Sequence, residues 1–150
     1  MEKLLTAKER AWRAKHPDWI SDHFYMGEFE YSAVAVANSL DNKPVPGAQK
    51  AIRHLVKNLL EPLRKKSGLS LYISSGYRCP ELNALVGGVL DSQHLTGEAV
   101  DVFTGGSARL LEILEEEHLN FDQAIFYRRK KFMHLSLKLK GKNRRQIIII

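Results

Sequence analysis

Three residues in the second half of the chain could together bind a metal ion. His94 follows a turn-rich segment, Asp101 comes seven residues later in an apolar run, and His134 lies in the segment 132–136. Two imidazoles and one carboxylate, with a fourth position open to water, form the ligand set of a catalytic zinc site. The spacing alone is not specific, because a histidine beside a strand is usually an ordinary packed or surface residue. Whether these residues form a metal site must therefore be judged from the segments around them.

A structural zinc site of the closed kind is excluded. Such sites are rich in cysteine, and this sequence has one cysteine, Cys79. One cysteine can form neither an intrachain disulfide nor a multi-cysteine zinc site. Any zinc site must rely on histidine and carboxylate ligands.

The positive charge is concentrated near the C-terminus. The net charge is +6, but residues 128–150 hold nine Lys or Arg and no Asp or Glu, which leaves 14 basic and 17 acidic residues elsewhere. A basic segment raises the possibility of nucleic-acid binding through phosphate contacts. Phe132 is its one aromatic residue, however, and no recognition helix is predicted there. Nucleic acid is therefore not the expected partner, and attraction of an anionic substrate is the favoured interpretation.

The sequence contains no recognisable targeting or membrane-spanning segment. Its apolar runs fall well short of the roughly 20 residues that span a bilayer. The N-terminal segment is charged throughout and lacks the apolar stretch of a secretory signal. We therefore expect a chain made in the cytoplasm, without membrane insertion.

Helices are predicted mainly in the first half of the chain. A capping-box pattern begins at Thr6, and the helix that follows is expected to end near Pro17. Apolar residues recur at helical spacing from 49 to 66, with a kink expected at Pro62 and a stop at Gly68. Further helices are predicted at 31–40 and 108–117.

Strands dominate the second half. They are predicted at 69–74, 99–103, 124–127, 132–138 and 146–150, with turns from 75 to 93. This order predicts a single α+β domain over residues 1–150, in which N-terminal helices pack on a small antiparallel sheet.

A series of short motifs surrounds the candidate ligands. The motifs are Ser-Gly-Tyr-Arg at 75–78, Leu-Asn at 82–83, Gly-Gly at 87–88, Ser-x-His-x-x-Gly-x-Ala-x-Asp at 92–101 and Phe-x-His at 132–134. In this order they resemble the zinc D-Ala-D-Ala carboxypeptidase family of peptidoglycan peptidases, which has the hedgehog/DD-peptidase fold. The resemblance covers about residues 24–148. Phe-Asp-Gln at 121–123 and the segment 141–146 resemble its single-domain, phage-type branch.

The resemblance implies a role for each matched residue. The implied ligands of one Zn²⁺ ion are His94, Asp101 and His134. Arg78 is implied to hold a substrate carboxylate or carbonyl, and a guanidinium suits this role because it forms two parallel hydrogen bonds that lysine cannot imitate. Ser92 and Gln93 are expected to orient His94 or the substrate.

The implied function is zinc-dependent hydrolysis of peptide bonds in peptidoglycan stem peptides. The protein would act at the cell wall after release, as a D-Ala-D-Ala carboxypeptidase or as an endolysin-type endopeptidase. The sequence leaves three bonds open as targets: D-Ala-D-Ala at the stem end, a cross-link, or L-Ala-D-Glu.

One element of the family pattern is missing. A general base, often Glu, usually lies three residues before the final histidine, and this position is Lys131. Three explanations remain open: Tyr127 assists proton transfer, Asp122 approaches through a loop, or the protein is a zinc-containing muropeptide-binding module with little or no turnover. An unperturbed phenol is a poor base at neutral pH, so Tyr127 is expected to assist as a hydrogen-bond donor or acceptor.

Overall fold

Helices precede the sheet along the chain. The structure, a computed structural model, describes residues 6–150; the first five residues of the N-terminal segment discussed above lie outside this range. The helices are α1 (Ala7–Ala14), α2 (Gly27–Glu30), α3 (Ala33–Ala37), α4 (Pro46–Leu55), α5 (Glu61–Ser67), α6 (Pro80–Leu85) and α7 (Arg109–Glu116). The strands are β1 (Tyr72–Ser75), β2 (Ala99–Phe103), β3 (Gln123–Tyr127), β4 (Phe132–Ser136) and β5 (Gln146–Ile149). Within residues 6–150, no helix has both the length and the apolar character to cross a bilayer.

The strands form one sheet in the order β1-β2-β4-β3-β5. The predicted α+β class is confirmed, but the sheet is mixed, because β5 pairs parallel to β3 while the other pairs are antiparallel. The direction of β5 follows from its anchor. Arg144 binds the carboxylate of Asp122, and the N–H of Gln146 donates to the Asp122 carbonyl. β5 therefore starts beside the start of β3 and runs the same way.

One face of the sheet packs in the core, and the other carries the candidate ligands. Successive side chains on a strand point to opposite faces. One face is apolar and buried in the core, through Val100, Val102, Ala124, Phe126, Met133 and Leu135. On the other face Asp101 of β2, His134 of β4 and Ile125 of β3 lie directly opposite one another in register. The core packing of one face therefore fixes the position of the candidate ligands on the other.

The predicted helix from 49 to 66 is interrupted before its proline. α4 is followed by one π-helical turn, Val56–Leu60, and α5 begins at Glu61 with Pro62 in its first turn. Proline donates no backbone hydrogen bond and is tolerated in the first turn of a helix. The π-helical turn thus places Pro62 at a position where its missing N–H is tolerated. Gly68, with φ of 69°, ends the helix as predicted.

Two local predictions differ from the structure. The turn-rich segment from 75 to 93 contains α6, which begins with Pro80 in its first turn. β1 starts at Tyr72 rather than at Leu69, and its pairing with β2 shifts in register between Ile73 and Ser75. This irregularity ends β1 next to Gly76, whose carbonyl contacts His94.

Candidate metal centre

His94 is held by a short turn beside the sheet. It lies in a 3₁₀ helix, Gln93–Thr96, where the Ser92 hydroxyl accepts a hydrogen bond from the His94 N–H at 3.2 Å. The imidazole is buried, and its Nδ1 lies 2.7 Å from the carbonyl oxygen of Gly76. Because a carbonyl only accepts, Nδ1 must carry the proton in this contact. Nε2 is therefore the nitrogen that can bind a metal ion when the imidazole is neutral.

Asp101 and His134 come from adjacent antiparallel strands. They form a directly opposed pair of β2 and β4. The Asp101 Oδ1 atom lies 3.2 Å from His134 Nδ1 and 3.4 Å from His94 Nε2. One carboxylate oxygen thus contacts both imidazoles, and a donor atom from each of the three residues lies within 4.8 Å of the others.

These spacings fit zinc. Donors at about 2.0–2.2 Å from a tetrahedral ion lie roughly 3.3–3.6 Å apart, close to the two distances from Asp101 Oδ1. Burial by itself would raise the pKa of Asp101, but hydrogen bonds from His134 and His94 bring that pKa well below its usual range. The carboxyl group is therefore ionised, which is the form that binds a metal ion.

Arg78 extends the site on one side. Its Nη2 atom lies 3.6 Å from Asp101 Oδ2, and its Nη1 atom donates to Asn83 Oδ1 at 3.3 Å. The backbone N–H of Arg78 donates to the carbonyl of His94 at 3.0 Å. The backbone segments that carry the guanidinium and the imidazole are therefore fixed relative to each other.

Close packing explains the glycine motif that precedes the site. A Cβ on Gly88 would come within 2.0 Å of Asn83 Oδ1 and 3.1 Å of Arg78 Nη1. A side chain at this position would displace the amide that holds the Arg78 guanidinium. Gly88 therefore supports the position of Arg78 without touching the candidate ligands.

Asn42 is a supporting residue that the sequence did not reveal. Its buried side chain donates to the carbonyls of Glu30 and Tyr77 and accepts from the N–H of Cys79. These bonds fix the backbone on both sides of Arg78. Asn42 lies far from the motifs along the chain, and no sequence pattern links it to them.

A groove of about 770 Å³ passes over the three ligands. The residues lining it include Arg78, Ser92, Gln93 and Tyr127, so these four candidates and the three ligands lie along the same groove. The ring of Tyr127 is stacked on Phe132, with centroids 4.4 Å apart.

Asp122 is not brought to the groove. Its side chain is fully buried and accepts hydrogen bonds from Arg144 and from Gln93 Nε2 at 3.0 Å. Burial by itself would raise the pKa of Asp122, but these hydrogen bonds lower it to about 2. A carboxylate in this state is a poor proton acceptor near neutral pH. Asp122 acts instead as an anchor that holds Gln93 and the segment leading into β5.

Comparison with known protein families agrees with this geometry. The sequence profile described as Peptidase M15 matches residues 22–136, which include Arg78 and all three candidate ligands. The chain belongs to the peptidase M15 family. A search of the curated proteins finds no match to it.

Membership of the peptidase M15 family confirms the predicted family and agrees with its hedgehog/DD-peptidase fold. The match ends at Ser136, before Arg144 and β5, whereas the predicted resemblance extended to about residue 148. The phage-type branch stays a prediction.

Proposed function

We propose that this peptidase M15 protein is a zinc-dependent metallopeptidase that hydrolyses peptide bonds in peptidoglycan stem peptides, with the cell wall as its site of action. The observation that carries the proposal is the His94–Asp101–His134 cluster, whose donor spacing fits zinc, at the base of an open groove beside Arg78. A peptidase needs a polarised carbonyl and an activated water. When bound, zinc supplies both functions, because it is a Lewis acid that lowers the pKa of water to about 7.

Arg78 binds and orients the substrate. Its side chain is only partly buried and lines the groove, while Asn83 contacts its Nη1 atom and Asp101 its Nη2 atom. A guanidinium in this position can pair with a substrate carboxylate or carbonyl and can stabilise negative charge that develops on oxygen. Gln93 lines the same groove, and its Nε2 donates to Asp122, so its Oε1 is the side-chain atom left to accept a substrate N–H.

Proton transfer needs a group within reach of the groove. Among the described residues that line the groove, the carboxylates are Asp91 and the candidate ligand Asp101. Tyr127 also lines the groove and is the residue that we assign, as a hydrogen-bonding group, to the reacting water or the leaving amine. Loss of a general base costs about 10²–10⁴-fold in rate, so slow turnover is compatible with this arrangement.

The test combines metal content with product release. Purified protein should contain about one zinc ion per chain and should release D-Ala or shorter peptides from peptidoglycan. His94→Ala should lose both, whereas His54→Ala, on α4 outside the groove, should keep both. Full hydrolysis by the His94→Ala variant would reject the proposal.

A second candidate is a zinc-containing muropeptide-binding module. It is favoured by Lys131, which occupies the family position of the general base and is exposed on the turn between β3 and β4. This candidate predicts tight muropeptide binding without product after long incubation. Turnover that disappears on chelation and returns with added zinc would exclude it.

A further inference from the structure

The turn between β3 and β4 is a concentrated cationic surface. It consists of Arg128, Arg129, Lys130 and Lys131, hereafter the basic turn, and all four side chains are exposed. Within residues 6–150, no ion pair to a carboxylate involves any of them. Uncompensated charges at consecutive positions repel one another, so an anionic partner would relieve this repulsion.

The backbone of the basic turn is fixed at both ends. The N–H of Arg128 donates to the carbonyl of Ile150 at 3.1 Å, and the N–H of Lys131 donates to that of Tyr127 at 2.9 Å. The carbonyl of Lys131 accepts from the N–H of Thr104 at 2.8 Å. The charges are therefore held together before any partner binds, which lowers the entropic cost of binding.

The basic turn adjoins the groove of the candidate metal centre. Lys130 lines this groove together with Tyr127 and Phe132. Phe132 precedes His134 by two residues on β4, so both side chains are on the same sheet face. A partner bound to the turn would therefore lie alongside the peptide in the groove.

We propose that the basic turn docks a linear phosphodiester polymer attached to peptidoglycan, a partner that rests on the function proposed above. Arginine guanidinium groups bind phosphate oxygens through paired hydrogen bonds, and lysines add point charges. The four side chains of the basic turn are exposed and do not enclose a pocket for a single phosphate. Four exposed charges are instead suited to several weak contacts with successive phosphates of a flexible polymer. Docking would raise the local concentration of wall peptides at the groove.

Nucleic acid shares the phosphodiester chemistry but fits this surface less well. Single strands are bound by cationic grooves together with free aromatic faces on which bases stack. Here the ring of Tyr127 stacks on Phe132, and Lys130 Nζ lies 5.9 Å from the Tyr127 centroid. These rings are already engaged with neighbours of the same turn.

The test measures binding, not hydrolysis. Cosedimentation at 50 mM salt compares intact bacterial walls with the same walls after chemical removal of their phosphodiester polymer. The turn variant carries Arg128→Gln, Arg129→Gln, Lys130→Gln and Lys131→Gln, and the charge-matched control carries Lys43→Gln, Lys50→Gln, Lys57→Gln and Lys142→Gln. Melting curves verify that both are folded, and a milder Arg128→Gln/Arg129→Gln variant serves if the fourfold variant is not.

We expect the turn variant to bind intact walls about tenfold or more weakly than the unmodified protein, and the control to change much less. Removal of the polymer should weaken the unmodified protein similarly, and raising salt from 50 to 200 mM should reduce its binding by about tenfold or more. Equal binding of turn variant and unmodified protein, or no effect of polymer removal, would overturn the proposal. So would tighter, turn-dependent binding to single-stranded DNA or to phosphatidylglycerol vesicles.

The proposal can fail separately from the proposed function. The same binding comparison is made on a His94→Ala background, so it needs no activity. Turn-dependent wall binding without hydrolysis by the unmodified protein would reject the peptidase function alone. Hydrolysis with turn-independent wall binding would reject the docking surface alone.

Discussion

At the scale of single residues, Asp101 is the centre of the candidate metal site. Its Oδ1 atom contacts both imidazoles, and its Oδ2 atom lies near the Arg78 guanidinium. A partly buried carboxylate with three such neighbours is electrostatically compensated. Arg78 contacts this carboxylate through Oδ2 and is not itself a candidate ligand. A change at Arg78 can therefore separate substrate binding from metal binding.

Arg78→Lys should impair catalysis while zinc is retained. Lysine keeps the positive charge near Asp101 but cannot reach Asn83, Asp101 and a substrate oxygen together. We expect kcat/KM to fall about 10- to 100-fold, corresponding to roughly 1.4–2.7 kcal/mol of transition-state binding, with about one zinc ion per chain. Steady-state kinetics and metal analysis on the same preparation provide the measurement. Loss of zinc from this variant would mean that Arg78 supports the ligands and does not bind substrate.

Glu28 gives a pH-dependent prediction. Its Oε2 atom is buried without a hydrogen-bond partner, and burial raises the pKa of Glu28 from 4.5 to about 7. The folded state therefore binds this proton more tightly than the unfolded state, so the contribution of Glu28 to the free energy of unfolding is full below pH 4.5 and is lost as pH rises to 7. Glu28→Gln should remove this decrease in the free energy of unfolding, because an amide does not ionise.

We expect Glu28→Gln to stabilise the protein by about 1 kcal/mol at pH 8, after allowance for partial solvent exposure, and by little at pH 4. Urea unfolding at the two pH values measures the difference. Glu115→Gln, at an exposed site on α7, should change stability by less than about 0.5 kcal/mol at both. A gain for Glu28→Gln that is the same at pH 4 and pH 8 would contradict the explanation.

At the scale of secondary-structure elements, Asp122 joins parts that are distant in sequence. Its carboxylate binds Gln93 of the 3₁₀ helix and Arg144 of the segment before β5, and its backbone pairs with Ser136 of β4 and Gln146 of β5. The element that carries His94 is thus connected to the end of the chain through one buried anion.

Asp122→Asn should destabilise the fold and disturb the groove. The amide is nearly isosteric, but it loses the charge-assisted hydrogen bonds to Arg144, which cost about 2 kcal/mol to remove. The new amide also has an N–H₂ group, which is a donor like Gln93 Nε2 and cannot accept the hydrogen bond that Gln93 donates to Asp122. Urea unfolding and KM measure the two effects, with the exposed Asp91→Asn as the stability control. Unchanged stability would show that Arg144 is fully solvated in both states.

At the scale of the whole molecule, the metal ligands span separate parts of the fold. Asp101 and His134 come from the middle of the sheet, while His94 comes from a 3₁₀ helix beside α6. A zinc ion shared by these residues would bind the folded state and not the unfolded chain. Such binding must therefore stabilise the whole domain.

Zinc should raise the melting temperature by about 10 °C at a free concentration near 1,000 times its Kd. This concentration corresponds to about 4 kcal/mol of stabilisation, at about 2–4 °C per kcal/mol for a chain of this size. Differential scanning calorimetry with and without chelator measures the shift. His134→Ala should abolish it and His54→Ala should not; an equal shift in both variants would point to zinc bound elsewhere.

Local sequence patterns predicted β2 with its observed bounds, and the resemblance to the peptidase family implied the residues of the candidate site. β2 alternates between core and site faces, and its pattern of side chains is readable without knowledge of its neighbours. The motif order likewise indicated Arg78 and the three ligands. The missed α6 is short and begins at a proline within a turn-rich segment, where periodicity over a single turn carries little information.

The sequence by itself predicted which side chains form the candidate site, because residue type and local spacing are properties of the chain. Only the tertiary structure decided how far apart their donor atoms lie, that β5 runs parallel to β3, and that Asp122 is an anchor instead of a base. It also revealed Asn42 as the support of the Arg78 segment, 35 residues from Tyr77 along the chain. These features depend on contacts between segments distant in sequence, and such contacts form only when the apolar face of the sheet packs on the helices.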